Sequence, residues 1–468
     1  MLGLVELDRG DIVVGPVTLG DGATLQTRAG VCGGASMGAG SQLGPLAVIN
    51  PGQAIPPGEL WAGVPAGPVG SAPPTPLADP GARPMSPPVY DLALALSEAG
   101  IAFIAALPAE LMAIGVCLAS GVGILLFGLT FLATPVTLVW SALLSRLLGR
   151  VRPGTIPRWS AAHIRVWIKT DILRLCGEWL SGTIFWSKWL RLAGMDIGPK
   201  CEISTIIDVV PELVTIGAET FFADGIYLGS AHVQQGTVTL GHTVLGRNTF
   251  LGNHAVVPPS ETLPGDILYG IATLAEGAKI RSGGARFGQP SFDLPRREVV
   301  SVDRSLTHDP SPIRYWNRVF WELLRFALPI LPLLLGAGWY ATLAQARDAS
   351  PATYFGLVLP GATLAVLLAL CLGVTVLKWT LIGRVKPGQH ALWSCWCSRW
   401  DFVYVAWAKW ANVILQRLEG TWLMPVYLRA MGLHIGKGVL LGPEFAQVVD
   451  PDMITIEAVS YTHLRAHE

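Results

Sequence analysis

A six-residue period governs residues 13 to 60. Apolar residues recur at Val13, Leu19, Leu25, Val31, Met37, Leu43, Ile49 and Ile55, and small residues follow at Ala23, Ala29, Ala35, Ser41 and Ala47. This period matches neither the 3.6-residue turn of a helix nor the two-residue alternation of a strand. It matches a coil with three short faces, each turning one apolar side chain inward, which is a left-handed parallel β-helix of hexapeptide repeats. The period returns at Ile216, Phe222, Leu228, Gln234 and Leu240, slips by one residue, and resumes at Leu245, Leu251, Val257 and Leu263. Gly58-Glu59-Leu60-Trp61-Ala62-Gly63 closes the first run and Gly265-Asp266-Ile267-Leu268-Tyr269-Gly270 the second.

Between these runs the chain is far too apolar for a water-exposed linker. Leu111 to Ser145, Phe326 to Ala346 and Ala349 to Leu377 hold no charged residue, and mean hydropathy is +0.47. A bilayer core of about 30 Å needs roughly 20 helical residues. Residues 99 to 145 therefore predict two transmembrane helices turning near Gly121-Val122-Gly123, and 326 to 377 predict two more. Arg146, Arg150, Arg152, Arg158, Arg165 and Lys169 follow the first pair, Arg314, Arg318 and Arg325 precede the second, and Lys378, Arg384 and Lys386 follow it. By the positive-inside rule the repeats and both termini are expected to face the cytoplasm of a multi-pass membrane protein. Of the 17 tryptophans, 11 fall within 159–189 and 393–422. Indole rings favour the headgroup region, so both windows are expected to lie in the interface.

A longer duplication orders these parts. Gly149-Arg150-Val151-Arg152-Pro153-Gly154 recurs as Gly383-Arg384-Val385-Lys386-Pro387-Gly388, and a Trp-Ser pair follows each copy. Leu190-Arg191, Gly194 and Ile197-Gly198 match Leu428-Arg429, Gly432 and Ile435-Gly436, while Pro211-Glu212 matches Pro451-Asp452. The expected fold is a mixed membrane protein in which β-helix domains alternate with pairs of transmembrane α-helices. Its divisions are a first β-helix at 1–70, a Pro-rich linker at 71–88 with no means of building a core, and a helix pair at 89–148. A Trp-rich segment at 149–194, the second β-helix at 195–284 and a linker at 285–317 follow. A second helix pair at 318–382, a second Trp-rich segment at 383–431 and the start of a third β-helix at 432–456 complete the pattern. Residues 457–468 follow no repeat, and the chain reads as a fragment of something longer.

The charge balance, 33 Lys+Arg against 33 Asp+Glu, gives no polyelectrolyte attraction to nucleic acid. Seven scattered cysteines form no disulfide framework, and no phosphate loop, metal cluster or nucleophile elbow appears. Histidine is the side chain suited to activating an amine or hydroxyl near neutral pH. His254 stands in Phe250-Leu251-Gly252-Asn253-His254-Ala255-Val256-Val257, and His232 takes a position where the repeat usually has a small residue. His242 stands at a variable corner, and the first β-helix has Leu46 where the second has His254.

The segment around His254 resembles that of sugar O-acetyltransferases and related hexapeptide acyltransferases, where the matching histidine is the general base. That resemblance implies His254 as catalytic; His232 is the second catalytic candidate, on its unusual position in the repeat alone. Gly63-Val64-Pro65-Ala66 resembles the Gly-x-Pro-Ala after the last coil of coenzyme A-dependent members, but Gly67 replaces their basic residue. The alternation of β-helices with helix pairs resembles the terminal region of bacterial nonribosomal peptide synthetases of the ε-poly-lysine synthetase type. This implies an acyltransferase-like condensation region that forms amide bonds from carrier-bound aminoacyl thioesters, with adenylation and carrier domains upstream. Its partners would be the lipid bilayer and an aminoacyl or amine substrate, within an oligomer or an internal pseudo-trimer. No cofactor is expected to be held firmly; the acyl donor is a carrier phosphopantetheine thioester or coenzyme A. A free-standing acetyl-CoA-dependent acyltransferase and a non-catalytic membrane scaffold or export module remain the alternatives.

Overall fold

The computed structural model of the chain describes residues 2–3, 5–8, 11–79, 81, 83–118, 123–295 and 303–458. The turn expected near residues 121–123 and the tail beyond residue 458 lie essentially outside them. The chain divides into two units, residues 1–110 with 136–300 and residues 111–135 with 301–468.

In the first unit the hexads of the first β-helix stack in register. Leu19 pairs with Met37 and Met37 with Ile55, Leu25 with Leu43 and Leu43 with Trp61, all in parallel. One coil thus consumes three hexads, and Met37, Leu43, Ile49 and Ile55 are almost wholly buried inside it. Each such side chain contributes about 1.5–3 kcal/mol of burial free energy, which explains the strictness of the spacing. Val13 departs from the expectation. Its strand, Asp11–Val14, pairs antiparallel with Val5–Asp8 as a hairpin rather than joining the coils.

The second β-helix has three faces. The first stacks Ile197, Ile216, Leu245 and Leu263, the second Ile203, Phe222, Leu251 and Tyr269, and the third pairs Leu228 with Val257. Gln234 and Leu240 keep the six-residue spacing but are not coil positions. His232–Gln234 and Thr237–Leu240 form an antiparallel hairpin that leaves the coil after Leu228 and returns at Thr243. The hairpin docks on Gly154–Pro157, and Val238 and Leu240 pack with Val151, Val166, Val210 and Leu213. The slip in the sequence pattern is this extrusion.

The stretch at 71–88 is tied down. Gly67–Ser71 pairs with Glu59–Ala62, and the Pro73 carbonyl accepts from Gln42 Nε2 (3.2 Å) in the first β-helix and Gln234 Nε2 (3.0 Å) in the second. Gln235 Nε2 donates to the Gly22 carbonyl (3.0 Å) and Gln289 Nε2 to the Pro45 carbonyl (2.8 Å). Four glutamine amides therefore hold the two β-helices side by side.

The Trp-rich windows also differ from the interfacial expectation. Helices α3 (Ala161–Leu180) and α4 (Ile184–Ala193) pack on the second β-helix, with Trp186 fully buried and stacked on Trp189 at 5.1 Å. Trp186 Nε1 donates to the Ser204 carbonyl (3.2 Å) and Trp189 Nε1 to the Leu138 carbonyl (2.7 Å). An indole buries well wherever its single N–H finds an acceptor, so these rings serve as core rather than as headgroup anchors. Trp159 and Trp167 remain exposed.

Among the described residues four stretches are long and apolar enough to cross a membrane: Pro87–Met112, Gly128–Leu147, Pro312–Gln345 and Pro351–Leu381. They lie in α1 (Pro87–Leu118), α2 (Gly123–Leu147), the run of α5 (Pro312–Leu324) and α6 (Ile330–Gln345), and the run ending in α7 (Leu359–Leu381). The division between units falls within α1 and α2.

In the second unit α8 (Cys395–Trp407) and α9 (Leu423–Met431) pack under one further coil. Trp407 and Trp410 are buried and donate to the carbonyls of Ala446 (2.9 Å) and Leu328 (3.0 Å). The coil begins at His434–Ile435, which pairs in parallel with Thr455–Ile456.

Candidate functional site

The corner between the second and third faces of the second β-helix gathers polar side chains from successive coils. Ser204-Thr205, Asp224-Gly225, Asn253-His254 and Ile271-Ala272 stack there, joined by His254 N to the Asp224 carbonyl and Ala272 N to the Asn253 carbonyl, both 2.8 Å. Such corners need a left-handed residue. His254 has φ +60°, Gly225 +70° and Ala272 +47°. Non-glycine residues accept this at about 1–2 kcal/mol, and His, Asn and Asp are enriched there.

The half-buried His254 imidazole lies over Gly225. A Cβ on Gly225 would come within 2.4 Å of His254 Nδ1, so the glycine makes the space for the ring. One step back, Asp224 is exposed and built into the corner. Its carboxylate accepts from the hydroxyls of Ser204 and Thr205 (3.3 Å for Thr205), and its N–H donates to Asn253 Oδ1 at 3.1 Å. No Lys or Arg pairs with Asp224 among the described residues. The second face reaches this corner through Phe221 and Phe250, stacked outward at 5.3 Å and 5°. On the third face Tyr227 is half-buried, and burial, reinforced by Asp208, holds its phenol above the usual tyrosine range.

His232 is placed elsewhere. It sits on the extruded hairpin opposite Thr239, beyond the far end of the third-face strand Ile226–Leu228. His254 precedes the neighbouring parallel strand Val256–Val257. The two histidines therefore flank opposite edges of one face and do not form a corner together. His242 is exposed, with its Nε2 3.3 Å from Thr215 Oγ1.

In the first β-helix Leu46 takes the matching corner with φ +59° and is buried. Gly63-Val64-Pro65-Ala66 is occupied by the chain itself, since Val64 N donates to the Gln289 carbonyl at 3.3 Å and Gly63 packs against Pro290. Asp224, Asn253 and Ser204 carry no motif of their own. They become a site only through the stacking of coils that the hairpin separates in sequence.

No family model matches the chain. The chain is 32% identical over 319 residues to a Delta-poly-L-ornithine synthetase of Acinetobacter baumannii, across 66% of this chain and 24% of that protein. It thus spans about a quarter of the length of that relative. Among solved structures it is similar to a maltose O-acetyltransferase from Clostridium difficile 630, at 10% identity and TM-score 0.22 over 33% of this chain and 97% of that one. It is also similar to serine acetyltransferase isoform 3 from Entamoeba histolytica, at 14% identity and TM-score 0.18 over 42% and 73%. Soybean serine acetyltransferase follows, at 12% identity and TM-score 0.18 over 34% and 68%.

Proposed function

We propose that this chain is the membrane-bound, amide-forming part of a peptide synthetase of the poly-ornithine or poly-lysine type. The observation that carries the reading is the His254 corner. A half-buried imidazole stands one step from an exposed carboxylate that has no cationic partner, on a β-helix whose chain shares 32% identity with a synthetase.

In this reading His254 is the general base. It takes a proton from the acceptor amine as that nitrogen attacks the carbonyl carbon of a carrier-bound aminoacyl thioester. The C–N bond forms, the C–S bond breaks, and the thiolate leaves with the proton that His254 returns. Asp224 holds a second, protonated amino group of the acceptor, and Ser204 and Thr205 keep its carboxylate aimed. A positioned base contributes about 10²–10⁴-fold and orientation supplies much of the rest. Adenylation and carrier domains supply the thioester, and the four apolar helices hold the site at a cytoplasmic membrane surface.

In the full-length enzyme His254→Ala is expected to lower amide formation by about 10²-fold or more while carrier aminoacylation is unchanged. Unchanged product formation would remove His254 from the reaction and favour a scaffold. Turnover of acetyl-CoA with a free amine, with no carrier present, would favour a free-standing acetyltransferase.

A further inference from the structure

Where the last apolar helix of the second unit meets the third coil, the surface forms an open, shallow cavity of about 670 Å³. Trp379, Arg384, Arg429, His434 and Asp452 line it. Asp452 is the single acid among the lining residues, and its charge is met by Lys378 Nζ at 2.8 Å. The two guanidinium groups therefore face the cavity without an acidic partner there. Arg429 is pinned by its own hydrogen bonds, Nε to the Ile435 carbonyl (3.0 Å) and Nη2 to the Gly436 carbonyl (2.7 Å), which leaves its other N–H groups to point outward. Arg384 is exposed and makes no side-chain hydrogen bond among the described residues.

Trp379 gives the depth. It stands in the last turn of α7, its Nε1 donates to the Ala430 carbonyl (2.8 Å), and its ring is 44% exposed. An indole at the end of an apolar span sits at headgroup level. The arginine pair, though not the tryptophan, recurs within the first unit, where the buried Ser145 stands at the position of Trp379. Arg150 and Arg191 hold the matching positions, Arg191 with the same pair of bonds, to the Ile197 (2.9 Å) and Gly198 (2.5 Å) carbonyls, and Arg146 joins them from the last turn of α2. Arginine forks match phosphate oxygens bidentately, and basic pockets at the cytoplasmic face of membrane helices select anionic headgroups.

We propose that this junction binds the phosphate of an anionic phospholipid, with Arg384 and Arg429 as ligands and Trp379 against the glycerol and upper acyl region. The site rests on the membrane reading of the apolar helices, and it fixes the height of the coil above the bilayer. The test uses the full-length protein solubilised from membranes, with retained phosphatidylglycerol counted by native mass spectrometry and rebinding measured in nanodiscs with and without that lipid. Wild type and Arg417→Glu, an exposed cation outside the cavity, are expected to retain the lipid. Arg384→Glu is expected to lose it by about tenfold, and adding Arg429→Gln by more. Arg384→Glu is the decisive variant because Arg429 also braces the coil. Equal retention in wild type and Arg384→Glu would overturn the proposal, as would millimolar inorganic phosphate binding the lipid-free protein and displacing the lipid completely. Release of wild type from membranes by carbonate would instead defeat the membrane reading, a result read independently of lipid counts.

Discussion

His254 and Leu46 hold the same corner of their respective β-helices with φ of +60° and +59°. The backbone there accepts either residue, so the side chain's surroundings decide its use. Leu46 is buried, whereas His254 lies half-exposed over a glycine. Gly225→Ala tests that arrangement without touching the histidine. The new Cβ would stand 2.4 Å from Nδ1, so the ring must move. Displacements of about 1 Å cost on the order of 10²-fold in rate, and the expected outcome is such a loss of amide formation with circular dichroism preserved. A second residue reports through pH. His163 in α3 is buried, with Nδ1 2.7 Å from Tyr90 Oη, and burial followed by the nearby Arg158 charge lowers its pKa below the ordinary 6.5. Below 6.5 the unfolded chain takes a proton that the folded chain refuses. This stabilisation is therefore complete above pH 6.5 and is lost as pH falls toward the folded value. The melting temperature is expected to drop between pH 7 and 5, and less steeply in His163→Gln; parallel curves would exclude His163 as the cause.

At the scale of elements, the duplicated motif marks where a long apolar helix leads into a β-helix module, and the structure explains why its residues recur. Val151 N donates to Glu212 Oε1 at 2.7 Å, and Val385 N to Asp452 Oδ2 at 3.1 Å. Gly194 and Gly432 end their helices with φ of +115° and +114°, and the arginines three residues earlier cap the first coil. The cation that neutralises each carboxylate comes from a different element. Lys169 reaches Glu212 from α3, while Lys378 reaches Asp452 from the end of α7. The positions matching them in the other copy are Val403 and Leu144, both buried and apolar. Removing one partner of a buried pair costs about 3–5 kcal/mol, because the other charge is left stranded. Glu212→Gln and Asp452→Asn are each expected to destabilise their own unit by that order in thermal unfolding. Lys169→Met with Glu212→Leu should recover most of the loss in the first unit, and a double variant as unstable as either single one would contradict the pairing.

The hexads and the motif were legible in the sequence because a coil repeats one packing constraint at fixed spacing. The lysine exchange was not, since spacing says nothing about which element supplies a counter-charge. The hairpin at 229–242 was hidden for a related reason. Gln234 and Leu240 are buried, at 3% and 4% exposure, and fall on the hexad grid, although Leu240 pairs with Gly154 and packs with Val151, and Gln234 pairs with Thr237 and donates to the Pro73 carbonyl, rather than facing the inside of a coil. The burial of Trp186, Trp189, Trp407 and Trp410 was not legible because an indole suits a headgroup layer and a core with one acceptor equally well. His254 is nominated by its local motif, whereas Asp224 enters the candidate site only through the coil stacking.

For the molecule as a whole, the bonds between the β-helices of the first unit make the Pro-rich stretch a strap. Gln42 and Gln234 share the Pro73 carbonyl. Their joint replacement by alanine is expected to open residues 72–79 to limited proteolysis while both β-helices stay folded; an unchanged cleavage rate would mean that the strap is held by other contacts. On the proposed membrane reading, charge placement sets the orientation of these helices. Within the second unit the connection between α6 and α7 carries Arg347 beside Asp348, while Lys378 stands in the last turn of α7 and Arg384, Lys386 and Arg429 follow it. A lysine or arginine at the helix centre costs about 2.5–3.5 kcal/mol in translocon insertion, and the cytoplasmic side retains the basic flank. Single cysteines at Asp348 and Lys437, in a cysteine-free background, are therefore expected to label from opposite sides of sealed inverted vesicles with an impermeant maleimide. Lys437→Cys should react in intact vesicles, and Asp348→Cys only after permeabilisation. Reaction of both without permeabilisation would mean that α6 and α7 enter the membrane without crossing it, and the coil above them would then owe its position to the arginine junction rather than to a transmembrane hairpin.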